Sequence, residues 1–336
     1  MDVRHALHHQ WRRAPEIWRI RRRWQPRKAA VQGENLIHRG LSLWLDVLRA
    51  VATLVVVFSH FAYALFSGGD LQWFRDYNFG SDAVVVIFVV SGFVIAFAAG
   101  RDGTAGAYAF NRLTRLWSVL IPALILTLVF DRYGSALTPA AYPAGYYAPQ
   151  TIADKLIRGV TLSNEFSSLE RLRLGTNGPL WSLSYEAVYY ALFGVAIFWT
   201  GARRMVAIVA IAAIAGLPIL MLMPAWLMGV WTWHFVQWGG IARLSTSRAL
   251  ILAFGAPLIY VVMQWLGTPD QLLALSGQML GVNMNATFGF SDEFMWNAII
   301  GALCVGHVIG MGRFMQNARF DLPVMRWIAG GVFRST

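Results

Sequence analysis

Charge is what this sequence has least of. Only 13% of its 336 residues are Asp, Glu, Lys or Arg, against 57% hydrophobic and a mean hydropathy of +0.50. A soluble domain carries roughly a quarter charged residues, so an ordinary water-soluble enzyme is excluded and an all-α, polytopic membrane protein is expected. Cysteine is nearly absent too. The single Cys304 excludes an internal disulfide framework and leaves the redox compartment open. Its simplest reading is a small apolar packing residue, with an acyl-cysteine intermediate as the alternative. No Gly-rich phosphate loop, zinc-ligand spacing or Gly-x-Ser-x-Gly elbow occurs, which leaves a soluble-type hydrolase mechanism without support. His5, His8 and His9 cluster loosely, but no carboxylate or cysteine completes a metal site around them. Neither a metal nor a permanently bound cofactor is expected.

The formal charge of +11 is unevenly placed. Residues 1–40 hold ten Lys and Arg against three acids, a basic cytoplasmic arm that argues for an inward N-terminus. Its Trp-Arg interleaving, WRIRRRWQPRK, suits anionic lipid headgroups better than nucleic acid. The remainder, 41–336, reads as one transmembrane domain of about eight helices. They are expected near Leu43–Phe66, Gly80–Gly100, Leu116–Phe130, Pro179–Thr200, Met205–Met223, Ala225–Ile241, Leu250–Leu266 and Phe294–Met311, with a tight turn at Pro224. Loops alternate between arginine-rich and arginine-poor, so the odd-numbered connections lie outside and the even ones inside. The longest polar stretch, Asp131–Asn177, is then external, and a short surface helix is expected near Ile152–Val160. Loop Gly267–Glu293, with three acids and no Lys or Arg, is also external.

Ionisable residues inside apolar spans are costly and mark functional positions. The first span carries Asp46, Arg49 and His60. Arg49 and His60 stand about 20° from three full helical turns apart, with a rise of about 16 Å between them, and Thr53 lies near the same face. Asp46 and Arg49, three apart, also have the spacing of a local ion pair. The span's outer end at Phe66 would put His60 about 9 Å deep, and Glu186 enters from the other side of the bundle about 10 Å deep. A His–carboxylate pair near the outer face would supply a base and its orienting partner. Arg112 and Arg115 sit at the inner mouth of the third span, either as a positive-inside signal or as a grip for phosphates. His307 reads as a packed or hydrogen-bonded helix residue, and His234, among Trp231, Trp233 and Trp238, as part of a helix interface or aromatic belt. Ser91-Gly92 is a small-residue spot where another helix can approach closely.

Four segments in order carry a resemblance. LDVLRAVATLVVVFSH is similar to the first-helix signature of the membrane acyltransferase family 3, VVVIFVVSGFVIAF to its second, and FNRLTRLWSVLIPAL to its arginine-bearing third. NGPLWSLSYEAVYY resembles its Trp-Ser-Leu…Glu…Tyr motif. Ala83 and Ile87 stand where that family more often has Gly and Phe. The resemblance implies a bacterial inner-membrane O-acyltransferase. It would move a short acyl group, usually acetyl, from cytoplasmic acyl-CoA to a hydroxyl of an extracytoplasmic glycan or lipid-linked saccharide such as lipopolysaccharide. It further implies that Arg49 and His60 are the essential pair, that Glu186 is a further site residue, and that Arg112 and Arg115 contact the CoA phosphates. The family usually has ten spans, and MRWIAGGVFRST resembles the start of its ninth, so this chain is expected to lack the last two. An inactive remnant or partner subunit is the alternative that implies. A small-molecule transporter is a lesser one, since the paired repeats with broken helices that mark many transporters are not found.

Overall fold

A computed structural model describes residues 34–142 and 151–316. The basic arm up to residue 33 and the segment MRWIAGGVFRST lie outside the described residues. Among those described there is no strand, and seven helices are long and apolar enough to cross a membrane.

The first helix, α1 (Glu34–Phe61), follows the apolar run but stops five residues before the expected end at Phe66. Two short helices, α2 (Ala64–Ser67), which ends at left-handed Gly68, and α3 (Gln72–Asp76), lead to α4 (Phe79–Asp102). Helix α5 (Ala105–Leu137) is capped by Thr104, whose hydroxyl accepts from the Ala107 amide, and outruns its expected end at Phe130 by two turns. The surface helix expected at 152–160 is present as α6 (Ile152–Val160), capped by Thr151.

Helix α7 (Trp181–Phe198) follows a 3-10 turn at Gly178–Leu180. Next come α8 (Gly201–Ala215) and α9 (Leu217–Gln237). The break between these two falls at Gly216, φ 88°, and not at Pro224, which lies inside α9. A proline inside a membrane helix is tolerated when neighbouring groups satisfy the freed backbone. The left-handed turn needs glycine, and Pro218 just beyond it suits a helix start. At 15 residues α8 is too short to count among the seven, which accounts for the difference from eight. Helices α10 (Thr246–Trp265), α11 (Thr268–Leu280), α12 (Met284–Phe288) and α13 (Phe294–Phe314) complete the chain. The stretch 267–293, read as a loop from its sequence, is therefore largely helical.

Burial sorts the spans into a centre and a lipid-facing rim. Over their most apolar windows α4 is 61% buried and α13 56%, against 17% for α1 and α10. The centre is a backbone-to-backbone crossing of α4 and α9. A Cβ added to Gly92 would lie 2.0 Å from the Trp226 carbonyl oxygen, and one on Gly229 1.9 Å from that of Val89. The small-residue spot at Ser91-Gly92 is thus where the partner helix comes closest. Around it stack Phe88, Tyr185, Tyr189, Trp226 and Phe193.

One buried charge ties the bundle together. Asp82 of α4 accepts from Tyr260 Oη at 2.6 Å, Gln264 Nε2 at 2.7 Å and Trp296 Nε1 at 3.0 Å. A carboxylate in an apolar bundle is stable only when so satisfied, and these bonds join α4 to α10 and α13.

Candidate active site

Because α1 ends at Phe61, His60 occupies its last turn and opens into a cavity of about 510 Å³, rather than lying 9 Å down a longer helix. The imidazole stacks on Tyr63, with ring centroids 6.0 Å apart. The Arg75 guanidinium covers that same tyrosine at 3.6 Å and donates to the Ser59 carbonyl at 3.0 Å. A positive charge is thereby fixed beside the histidine.

The opposite wall comes from the stretch between α6 and α7, which brings Asn164, Glu165, Arg171, Arg173 and Asn177 to the cavity. Long loops hold a shape only when their backbone polar groups find partners, and here they do. Arg158 of α6 donates to the Ser163 carbonyl at 2.7 Å and to that of Glu170 at 3.0 Å. Ser168 Oγ donates to the Ile214 carbonyl at 2.7 Å, anchoring the loop to the end of α8. Asn177 donates to Thr127 and Thr176 to Asp131, both on α5. The floor is aromatic: Trp181 of α7 stacks on Phe290 at 4.3 Å with their planes 5° apart.

Glu165 is the buried carboxyl of this cavity wall, only 6% exposed. Asn164 Nδ2 donates to its Oε1 at 3.3 Å, and Ser184 of α7 fixes Asn164 in turn at 2.6 Å. Burial pushes the Glu165 carboxyl up to about 7, although Arg171, the Asn164 hydrogen bond, Arg173 and Arg158 all pull it down. Desolvation wins because a buried negative charge costs more than guanidiniums at a distance return.

Of the five site residues expected from sequence, His60 alone lines the cavity; the others lie elsewhere in the bundle. Arg49 and Thr53 share the stripe of α1 that continues through Val56 and His60 into the cavity; Val56 and His60 line it directly. Arg49 itself pairs with Asp46 at 3.5 Å, the local ion pair their spacing allows.

Arg112 and Arg115 belong to the other end of the bundle. Fifteen residues of α5 separate Arg112 from Thr127, the anchor of the cavity loop, a rise of about 22 Å. Arg112 bonds Asp102 at 3.4 Å, leaving its Nε buried with no partner among the described residues; Arg115 is exposed.

Glu186 does not meet His60. It lies five residues along α7 from Trp181, outside the cavity and one turn from Tyr190, whose hydroxyl contacts Ser91 at 3.0 Å. Sequence reasoning missed Glu165 and Arg171, because nothing periodic marks a lone loop residue, and Arg75, which sits on the short α3; only the fold brings them to the cavity that His60 lines.

Outside the cavity, the other histidine readings can be placed. His307 accepts from Trp44 Nε1 at 3.2 Å and contacts the Ala253 carbonyl at 2.7 Å, a hydrogen-bonded helix residue as expected. His234 sits against Trp238. Cys304 is buried in the apolar core.

Taken together, the fold and cavity define a multi-pass membrane protein with a histidine-bearing polar chamber at one end and Arg112 and Arg115 at the other. A model of the acyltransferase domain matches residues 42–333, and the chain belongs to that family. It is 30% identical over 156 residues to the "O-acetyl transferase" of Shigella phage Sf6, covering 45% of each chain. Over 182 residues it is 24% identical to "Nodulation protein 10" of Rhizobium leguminosarum bv. viciae, covering 51% of this chain and 48% of that one. The chain thus spans about half the length of the curated relatives it matches. No solved structure matches.

Proposed function

We propose that this protein is a bacterial inner-membrane O-acyltransferase, with its N-terminus cytoplasmic, that moves acetyl or another short acyl group from cytoplasmic acyl-CoA to a hydroxyl of an extracytoplasmic glycan. The observation that carries the reading is His60 opening from the end of an apolar helix into a cavity walled by Glu165, Arg171, Arg173, Asn164 and Asn177. Polar side chains with an aromatic floor suit a polyhydroxylated acceptor, and a histidine within that chamber suits the removal of a hydroxyl proton.

In the reaction, His60 accepts the proton of an acceptor hydroxyl as its oxygen attacks the thioester carbonyl. The carbon–sulfur bond breaks, the acyl group stays on the sugar oxygen, and the departing CoA thiolate takes up a proton. Base catalysis of this kind is worth about 100- to 10,000-fold in rate. Arg49, on the same stripe of α1 about 16 Å inward, would steady the donor along its path to His60. Arg112 and Arg115 would grip the CoA phosphates at the inner end, where the Arg115 guanidinium is exposed. Glu186, on α7 one turn from Tyr190 and outside the cavity, would hold the middle of that passage and not the imidazole.

The direct test is the alkali-labile acyl content of surface glycan from cells with and without the gene. Acyl ester present only with the gene supports the proposal, and equal content in both strains contradicts it.

A further inference from the structure

The carboxylate expected to stand with His60 was Glu186, but the structure brings a different one to the cavity. Glu165 lies on the wall formed by the loop between α6 and α7. Its position is built and not incidental: Ser184 holds Asn164, Asn164 holds the Glu165 carboxyl, and the Leu172 amide donates to the Asn164 carbonyl at 2.8 Å. Burying a carboxyl in this way is costly unless a partner repays it. Asn164 supplies one hydrogen bond at 3.3 Å, while a carboxylate can accept about four. A saccharide in the cavity offers the hydroxyl donors that would complete the set.

We infer that Glu165 is the acceptor-binding residue of this site, taking a hydrogen bond from a saccharide hydroxyl and holding the sugar so that another hydroxyl faces His60. The inference rests on the glycan acceptor proposed above. It divides the cavity's labour: His60 acts on the proton and governs the maximal rate, while Glu165 governs how tightly the acceptor sits.

The ionisation of Glu165 adds a second signature. Its carboxyl titrates near 7. Facing it are Arg158 from α6, Arg171 and Arg173 from its own loop and Tyr185 from α7, with Asp292, Arg75 and His60 also at the cavity. Above that pH the group is a carboxylate, a stronger acceptor than the neutral acid, so acceptor binding should tighten as pH rises from 6 to 8.

The test uses the whole purified chain in detergent and, as probe, the host's own surface glycan stripped of ester groups by mild alkali. Equilibrium binding is measured without donor, so the Glu165 inference is judged apart from the transfer reaction that rests on His60. Glu165→Gln should weaken binding about tenfold at pH 8, the loss expected for a charged hydrogen bond. It should also flatten the change between pH 6 and 8 and leave the rate at saturating acceptor within twofold. Glu165→Asp, which keeps the charge, should recover most of the binding. Binding by Glu165→Gln within twofold of wild type at both pH values would overturn the inference. So would equal failure of the Asp and Gln variants, or loss of the saturating rate with binding intact.

Discussion

The crossing of α4 and α9 leaves no room for one methyl group, which makes Gly92→Ala a sharp test of the bundle. The new Cβ would stand 2.0 Å from the Trp226 carbonyl oxygen and 3.0 Å from its carbon, where ordinary contact begins at 3.4 Å. Both obstacles are backbone, so no side chain can swing aside and the helices must part by about an ångström or more. Overpacking of this kind costs about 1–3 kcal/mol, and rigid backbone places it at the upper end. Replacing glycine by alanine inside a helix returns about 1 kcal/mol of propensity, leaving a net loss of about 1–2 kcal/mol. Gly100 on the same helix is the control: nothing lies within 4 Å of its added Cβ, so Gly100→Ala should keep or raise stability. Apparent melting temperature in detergent should fall for Gly92→Ala and hold or rise for Gly100→Ala. Equal behaviour of the two would refute the packing argument.

Three further outcomes follow from the described geometry. A carboxyl that ionises near 7 when folded but near its ordinary value of 4.5 when unfolded favours folding at low pH and loses that advantage as pH rises through this window. The wild type should therefore lose about 3 kcal/mol relative to Glu165→Gln between pH 4.5 and 8, read as the difference between their pH–stability profiles; parallel profiles would contradict it. Replacing both Arg112 and Arg115 with Gln should weaken acyl-CoA binding, and added salt should weaken wild-type binding in the same direction; unchanged affinity in a correctly inserted variant would reduce them to topology signals. Reporter fusions after Ser67 should report outside and those after Gly103 inside, and the reverse would invert the proposed placement of donor and acceptor.

Much of the architecture is legible before any coordinates, because hydropathy and arginine bias act locally. Helix α6 appears at its expected bounds, since Thr151 caps an amphipathic turn that needs no distant partner. His307 reads correctly as a bonded helix residue, and Ser91-Gly92 as a close-approach point. The misread elements have identifiable causes. Pro224 looks like a turn but sits within α9, whereas Gly216 followed by Pro218 was the better stop-and-start signal. Span one runs on hydropathically to Phe66, yet the chain bends after Phe61, with Tyr63 leaving the helical region at ψ 136°. The stripe joining Arg49 to His60 follows from helical periodicity alone. Glu165 does not, because its approach to His60 depends on Arg158, Ser168 and Asn177 pinning a loop between separate helices. Glu186 has the depth that suits His60 but lies outside the cavity, and helix rotation is not encoded in depth.

The account rests most heavily on His60, and its most direct test is acyl transfer by His60→Ala. Val57→Ala serves as the control, a neighbouring side chain 58% exposed on the outside of α1. Both variants should insert and bind the deacylated glycan as the wild type does, since neither removes a packing group from the bundle centre. With labelled acetyl-CoA as donor, Val57→Ala should transfer label to the glycan at close to the wild-type rate. His60→Ala should lose about 100-fold or more, the share that a positioned base supplies. Transfer by His60→Ala at a rate close to that of Val57→Ala would remove the base from the mechanism and contradict the central claim.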